Sequence, residues 1–253
     1  MARTDNRPIC SADRPVPRGV PRPMTREIAV RRYRGTDREA VREIAYQSGF
    51  MGDCAEWYWR DFPSFADIWT SYYTDREPES AFVAESEGRV VGYLLGCVES
   101  ERAPSPAVAL ARQTIRRLLF LRPGTAGFLW RSVWDAAQQR PVPTGEVADA
   151  RWPSHLHMNL LREARGRGAG AQLVNAWFAR LRTVGSPGCY LGTLAENRAA
   201  RAFFARMGFR DLGAPVIVPG MRLRNGDRMH LQLMVRDLGG ELAAQQAPET
   251  FAG

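Results

Sequence analysis

Two histidines, His155 and His157, stand just upstream of a run of glycines and arginines, Arg165-Gly166-Arg167-Gly168-Ala169-Gly170. Each group suggests a chemistry. A neutral imidazole, with an ordinary pKa of about 6.5, takes up a proton near neutral pH, directly or through a water. Two residues apart on an extended chain, the rings share one face of a strand. The competing reading is a pair of hydrogen-bonded core histidines. A metal centre is not expected. Only His230 remains as a third histidine, and Cys10, Cys54, Cys97 and Cys189 lack ligand spacing.

The glycine run suits an anion. The first amides of a helix have no helical acceptor and carry the positive end of its dipole, which stabilises an anion by roughly 0.3–1 kcal/mol and up to ~2 when partly buried. Glycine lets a phosphate reach those amides without meeting a Cβ. Arg165 and Arg167 would add charge-assisted contacts. A pyrophosphate is the expected guest, and a turn made for close helix packing is the plain alternative. Gly166, Gly168 and Ala171 also fit a G-x-G-x-x-A dinucleotide fingerprint, with Glu196 as a ribose-binding acid. However, residues 162–165 separate the strand from the first glycine, where a Rossmann turn is tight. A Walker A loop is excluded, because no Gly-Lys-Ser/Thr occurs.

These groups need a strand before them and a helix behind. Residues 155–161 alternate as a strand, and Leu173, Val174, Trp177 and Leu181 follow at helical spacing. Further strands are expected at 27–34 and 189–195. Hairpins are expected at 81–86 with 90–98, and at 209–218 with 228–236. Thr36-Asp37-Arg38-Glu39 reads as a capping box opening a helix with Val41, Ile44 and Ala45. A second helix carries Ala200, Phe203, Phe204 and Met207 on one face. The order β-α-(α)-β-β-insert-β-α-β-α-β-β implies an α/β fold with a mixed sheet. Residues 102–150, between the third and fourth strands, look like an insert of two helices.

Composition narrows the class. The 253 residues are 45% apolar. No apolar run approaches the ~18 residues of a membrane span, so no membrane partner is expected. Residues 1–23 are rich in Pro and Arg, have no apolar leader segment, and read as a disordered tail. Met24 is a possible start, and residues 239–253 look like a second loose tail. The scattered cysteines argue against a disulfide framework and fit a reducing cytoplasm. The net charge is +8, all of the positive charge is arginine, and there is no lysine. The arginines are spread along the chain without a basic run or a nucleic-acid-binding signature, so nucleic acid is not an expected partner.

At the level of motifs, R-x-x-G-x-G at Arg165, Gly168 and Gly170 resembles the acyl-CoA signature of the GNAT acetyltransferase superfamily. The stretch from Asn197 through Ala200 and Phe204 to Gly208-Phe209 resembles that family's N-x-x-A-x-x-x-Y-x-x-x-G-F block. The likeness spans roughly residues 27–238 and implies the GNAT fold, a 24–238 domain and acetyl-CoA as co-substrate, with no metal. It implies that Arg165, Gly166, Arg167, Gly168, Ala169 and Gly170 hold the CoA pyrophosphate. By the same likeness Leu160 and Leu161 pair with pantetheine through their backbone, and Asn197 reaches the same arm. Ala200, Phe203 and Phe204 complete the cofactor side. His155 and His157 resemble the histidine pair serving as base in arylalkylamine acetyltransferases. Phe204 departs from the family's tyrosine and has no proton to give a departing thiolate. The Pro153-Ser154-His155-Leu156-His157 start and the aromatic-acidic region before it resemble a narrower group. That group is the acetyltransferase-like domain of O-GlcNAc hydrolases and its stand-alone bacterial relatives.

The implied reaction is transfer of an acetyl group to an amine of a small molecule or peptide. The alternative is a non-catalytic binding module of the same fold. Residues 51–80 hold two arginines against seven acids, with eight aromatics between Trp57 and Tyr73. This suits a cationic acceptor, through Coulomb attraction and cation–π contact.

Overall fold

Alternating apolar residues build one seven-stranded sheet. The computed structural model describes residue 10 and residues 27–122, 125–138, 147 and 149–239. The strands are β1 (Ala29–Arg32), β2 (Ala81–Ser86), β3 (Arg89–Cys97), β4 (Ser154–Leu160), β5 (Gly188–Leu194), β6 (Arg210–Arg222) and β7 (Arg228–Asp237). They lie in the order β1-β2-β3-β4-β5-β7-β6. All neighbours are antiparallel except β4 and β5, which run parallel. The helices are α1 (Arg38–Gln47), α2 (Phe62–Arg76), α3 (Pro106–Arg117), α4 (Ala126–Gln138), α5 (Ala169–Thr183) and α6 (Arg198–Arg206). The mixed α/β class and element order agree with the sequence pattern, and α3 and α4 lie between β3 and β4.

Strand alternation gives the sheet two buried faces. On one, Leu173, Val174, Trp177 and Leu181 of α5 pack on Phe82, Leu94, Leu156 and Leu191. On the other, Val41, Ile44 and Ala45 of α1 and Tyr73 of α2 cover Val83, Tyr93, Leu95 and Cys97. The β2–β3 turn is Glu87-Gly88, both at positive φ (53° and 73°), which matches the twist of a two-residue hairpin.

Two expectations need correction. Thr36 does not cap α1. A 3-10 turn at Gly35–Asp37 precedes the helix, and Asp37 accepts the Arg34 amide (2.8 Å) while holding the Arg31 guanidinium (2.7 and 3.0 Å). The carboxylate that neutralises a half-buried strand arginine displaced the local hydroxyl cap. Second, Cys10 and Cys54 form a disulfide, with their Cα atoms 6.1 Å apart. Bridging depends on distance in space, which a separation of 44 residues concealed. Cysteine usage is therefore no guide to the compartment. Apart from Cys10 and Gly239, the tails at 1–23 and 239–253 lie outside the described residues.

α5 approaches the sheet closely at Gly96, where an added Cβ would run into the ring of the fully buried Trp177. Gly96→Val should therefore destabilise the fold by about 1–3 kcal/mol, the usual cost of overpacking. A lowered Tm by calorimetry checks this; an unchanged Tm would mean that α5 does not seat on β3 there.

Candidate active site

The parallel pair is the place where the sheet opens. β4 and β5 pair at Ser154↔Cys189 and His155↔Tyr190 and no further. The Leu161 amide donates to Val91 O (2.9 Å), so the backbone groups of Leu161 face β3. By alternation those of Met158 and Leu160 face the gap where β5 has turned away. A polar main-chain edge without a strand partner is thus exposed beside the glycine loop.

That loop is fastened from one side. Arg165 donates to Leu160 O (3.0 and 2.8 Å) and to Gly52 O (2.7 Å), tying the loop to the chain between α1 and α2. Arg165 is therefore a clamp on carbonyls, and its head group is already engaged. Arg167 is exposed and lies over Glu163 O (3.4 Å). Gly166 and Gly168 have φ of +71° and +81°, and a Cβ on Gly166 would meet nothing within 4 Å. Gly168 is the N-cap of α5, and the first helical amide to find an acceptor is that of Gln172, to Gly168 O (3.1 Å). The amides of Ala169, Gly170 and Ala171 are the ones left by helix geometry for an anion. Gly170 has a packing reason as well, since a Cβ there would sit 3.1 Å from the Phe203 ring and 3.4 Å from Leu160.

The two histidines share the face of β4 that α2 covers, but their surroundings differ. His155 is buried, with Nε2 2.8 Å from the Tyr73 hydroxyl and Nδ1 2.7 Å from Ser100 Oγ. Both of its nitrogens are taken. His157 makes no side-chain hydrogen bond among the described residues, and its ring meets Trp69, Tyr73 and His155 edge to face. Burial pushes both imidazoles down, His155 to about 3 with help from the His157 charge, and His157 to about 4. Burial also pushes the Tyr73 phenol far up, so it stays protonated. At neutral pH both rings are neutral, and only His157 has a nitrogen free to receive a proton.

The far side of the fork is built on α6. Asn197 caps the helix through its side-chain oxygen, which accepts from the Ala200 amide (3.1 Å). This leaves its NH2 group to donate outward. Phe204 is buried against Phe203 and Phe209.

A profile of the acetyltransferase (GNAT) family matches residues 51–209. The chain belongs to this family. Among solved structures, SsHAT is 28% identical, with a TM-score of 0.62, and the match covers 83% of this chain and 98% of that one. The phosphinothricin acetyltransferase of Sinorhizobium meliloti, solved with acetyl-CoA, is 18% identical (TM-score 0.52; 84% and 89% covered). The putative acetyltransferase yncA of Salmonella typhimurium, solved with its cofactor acetyl-CoA, is 16% identical (TM-score 0.51; 83% and 94%). The last two share the fold.

In this GNAT domain the acids of residues 51–80 are mostly spoken for. Asp53 meets Arg162 (3.3 Å), Asp61 meets Arg122 (2.5 Å), and Asp67 meets Arg117 (3.3 Å) and Arg42. Asp75 pairs with Arg38, and Glu79 lies 3.8 Å from Arg180. Glu77 accepts from the Val98 amide (2.9 Å), the Cys97 thiol (3.0 Å) and the Tyr72 hydroxyl (3.2 Å). Every one of these partner arginines comes from outside the window, so the local negative count does not survive folding. Tyr73, Ser100 and Trp69 were missed as site residues. Trp69 and Tyr73 were legible only as an i, i+4 aromatic pair in an aromatic helix, and nothing in the sequence marked Ser100.

The depressed histidines predict an acid weakness. Below pH 6.5 the unfolded chain binds protons on both rings, while the folded chain does not until about pH 4 and 3. The state binding more protons gains as pH falls, so stability should drop from pH 6.5 downward, by at most about 1.4 kcal/mol per pH unit per ring. Urea unfolding at pH 7 and pH 5 checks this, and His157→Gln should flatten the dependence. An equal slope in wild type and variant would mean that His157 is not held neutral by burial.

Proposed function

We propose that this protein is an acetyl-CoA-dependent N-acetyltransferase acting on an amine of a small molecule or peptide, with His157 as general base. The observation that carries the reading is a neutral imidazole without a hydrogen bond among the described residues, in the strand that borders the β4–β5 fork. Membership in the acetyltransferase (GNAT) family and the acetyl-CoA bound to two proteins of the same fold support the cofactor. The narrower likeness to the acetyltransferase-like domain of O-GlcNAc hydrolases rests on Ser154-His155-Leu156-His157 and the aromatic helix before it.

The chain's own groups fit that cofactor. The open amides of Ala169, Gly170 and Ala171, with Gly166 and Gly168 at positive φ, suit a pyrophosphate. The gap-facing backbone of Met158 and the Leu160 amide, with the Asn197 NH2, suit the amides of pantetheine; the Leu160 carbonyl is held by Arg165. Leu161 and Arg165 support this edge indirectly, through Val91 and through the carbonyls of Leu160 and Gly52. Acetyl-CoA, when bound, supplies the acetyl thioester.

An alkylamine of pKa ~10.4 must lose a proton to react, at a cost of roughly 4 kcal/mol for three pK units. The ammonium proton leaves first; the free amine then attacks the thioester carbon, and His157 receives the further proton that the attacking nitrogen, now cationic and more acidic, sheds as the C–S bond breaks. His155, fixed between Tyr73 and Ser100, holds the neighbouring ring surface and excludes water. Because the acids of residues 51–80 are mostly paired, recognition of a cationic amine falls to the faces of Trp69 and Tyr73. With Phe204 dry and buried, a thiol of pKa about 8.5 leaves as thiolate or takes its proton from water. The protein has no lysine of its own to compete as acceptor.

His157→Gln should lower kcat/KM by about 10²–10⁴-fold with CoA affinity intact, and the deficit should shrink at high pH where the amine deprotonates without help. A loss equal at every pH would make His157 structural. Gly168→Val should remove CoA binding, since a β-branched residue is strained at a φ of +81° and its side chain would stand over the first amides of α5. Unchanged affinity by calorimetry would move the pyrophosphate elsewhere. Phe204 favours one other reading, a binding module without turnover; tight acetyl-CoA binding with no acetylation across a panel of amines would select it.

A further inference from the structure

The helical insert turns its apolar residues outward. Eight of the ten exposed large hydrophobic residues among those described fall between Val108 and Trp134. α3 packs inward through Leu110, and its Gln113 and Arg117 reach Asp67 of α2. Its outer face carries Val108, Arg112, Ile115 (73% exposed) and Arg116. α4 packs inward through Phe128 and Leu129, and buried Asp135 accepts the Gly220 amide (2.8 Å). Its outer face carries Trp130 (72% exposed), Val133 and Trp134 (59%). Between the helices, Leu118, Phe120 and Leu121 are exposed too. Leu118 ends α3 in the left-handed region (φ 50°, ψ 45°), where glycine is usual. A branched residue there costs strain and leaves an apolar side chain in solvent, a combination that folding alone does not favour.

Charge selects among partners. Residues 102–138 hold six arginines and one acid, the buried and paired Asp135. Arg112 and Arg116 make no hydrogen bond or ion pair among the described residues and stand beside Val108 and Ile115 on the outer face of α3. A second copy of the chain, docked by the same face, would meet its own positive charge. Nucleic acid would leave Trp130, Trp134 and Leu121 in water. Helices that show aromatic and aliphatic residues beside arginines match the interface of an anionic bilayer, where rings and alkyl chains enter the acyl boundary and guanidinium groups meet phosphates. No described helix is long and apolar enough to cross a membrane, and lying on a surface does not require one.

We propose that the outer face of α3 and α4 docks this protein on an anionic lipid surface, with Trp130, Trp134, Ile115 and Leu121 entering the interface and Arg112 and Arg116 meeting headgroup phosphates. The inference is independent of the acetyltransferase reading, because none of these residues lies at the β4–β5 fork. The test is flotation of the full chain with phosphatidylcholine vesicles, with and without a third of phosphatidylglycerol. Binding is expected only with the anionic lipid. Arg112→Gln with Arg116→Gln should weaken it by about tenfold or more, since each arginine near the surface contributes about fivefold. Ile115→Glu, Leu121→Glu and Trp134→Glu together should abolish it while leaving Tm unchanged. Should that triple variant fail to fold, the arginine pair and quenching of wild-type tryptophan fluorescence by brominated phosphatidylglycerol still decide. No flotation with anionic vesicles, or flotation untouched by the substitutions, would overturn the proposal. So would a concentration-dependent dimer in light scattering that the triple variant dissolves, which would give the face to a second copy.

Discussion

The architecture depends on a hydrogen-bonding failure placed in the middle of a sheet. β4 and β5 share two residue pairs and then part. Buried main-chain groups need partners, so a strand that loses its neighbour inside a fold leaves a demand that something must meet. Every feature of the site is arranged around that demand. The glycine loop opens beside the gap and α6 begins across it. Met158 and Leu160 turn their backbone into it. The antiparallel ladders on either side carry the stability that lets one central pair remain incomplete.

Arginine does much of the joining around this gap. Arg165 bonds Leu160 O and Gly52 O, so one side chain fixes the strand end, the loop and the α1–α2 connection together. Arg162 meets Asp53 beside the same connection, next to the bridged Cys54. Planar, permanently charged groups with several donors suit such multiple carbonyl contacts better than an ammonium would. The same residue type cancels the acids around α2, through Arg38, Arg42, Arg117 and Arg122. The outer face of the insert is the exception, because Arg112 and Arg116 meet no acid among the described residues.

The histidines illustrate how burial separates two chemically equal groups. Both lose their charge to desolvation. His155 satisfies both nitrogens within the protein, and the His157 ring, beside aromatic rings, makes no hydrogen bond among the described residues. One step of two residues along β4, toward the open fork, makes that difference.

By itself the sequence determined the class and order of elements, because apolar periodicity and turn residues are local. It determined the helix-opening glycines for the same reason: glycine permits the positive φ that Gly166 and Gly168 adopt. It determined the family, since R-x-x-G-x-G and the block from Asn197 to Phe209 are short contiguous motifs. Only the tertiary structure decided which histidine is free, because Tyr73 and Ser100 lie 82 and 55 residues away from His155 in the chain. Only it showed Arg165 as a clamp and Cys10 bonded to Cys54. Only it cancelled the acids around α2, because a charge count along the chain cannot register partners that folding brings from elsewhere. Electrostatics and hydrogen bonding act across space over a few ångströms, whereas periodicity acts along the chain. The fold was therefore legible in advance, and the chemistry of the site was legible only in part.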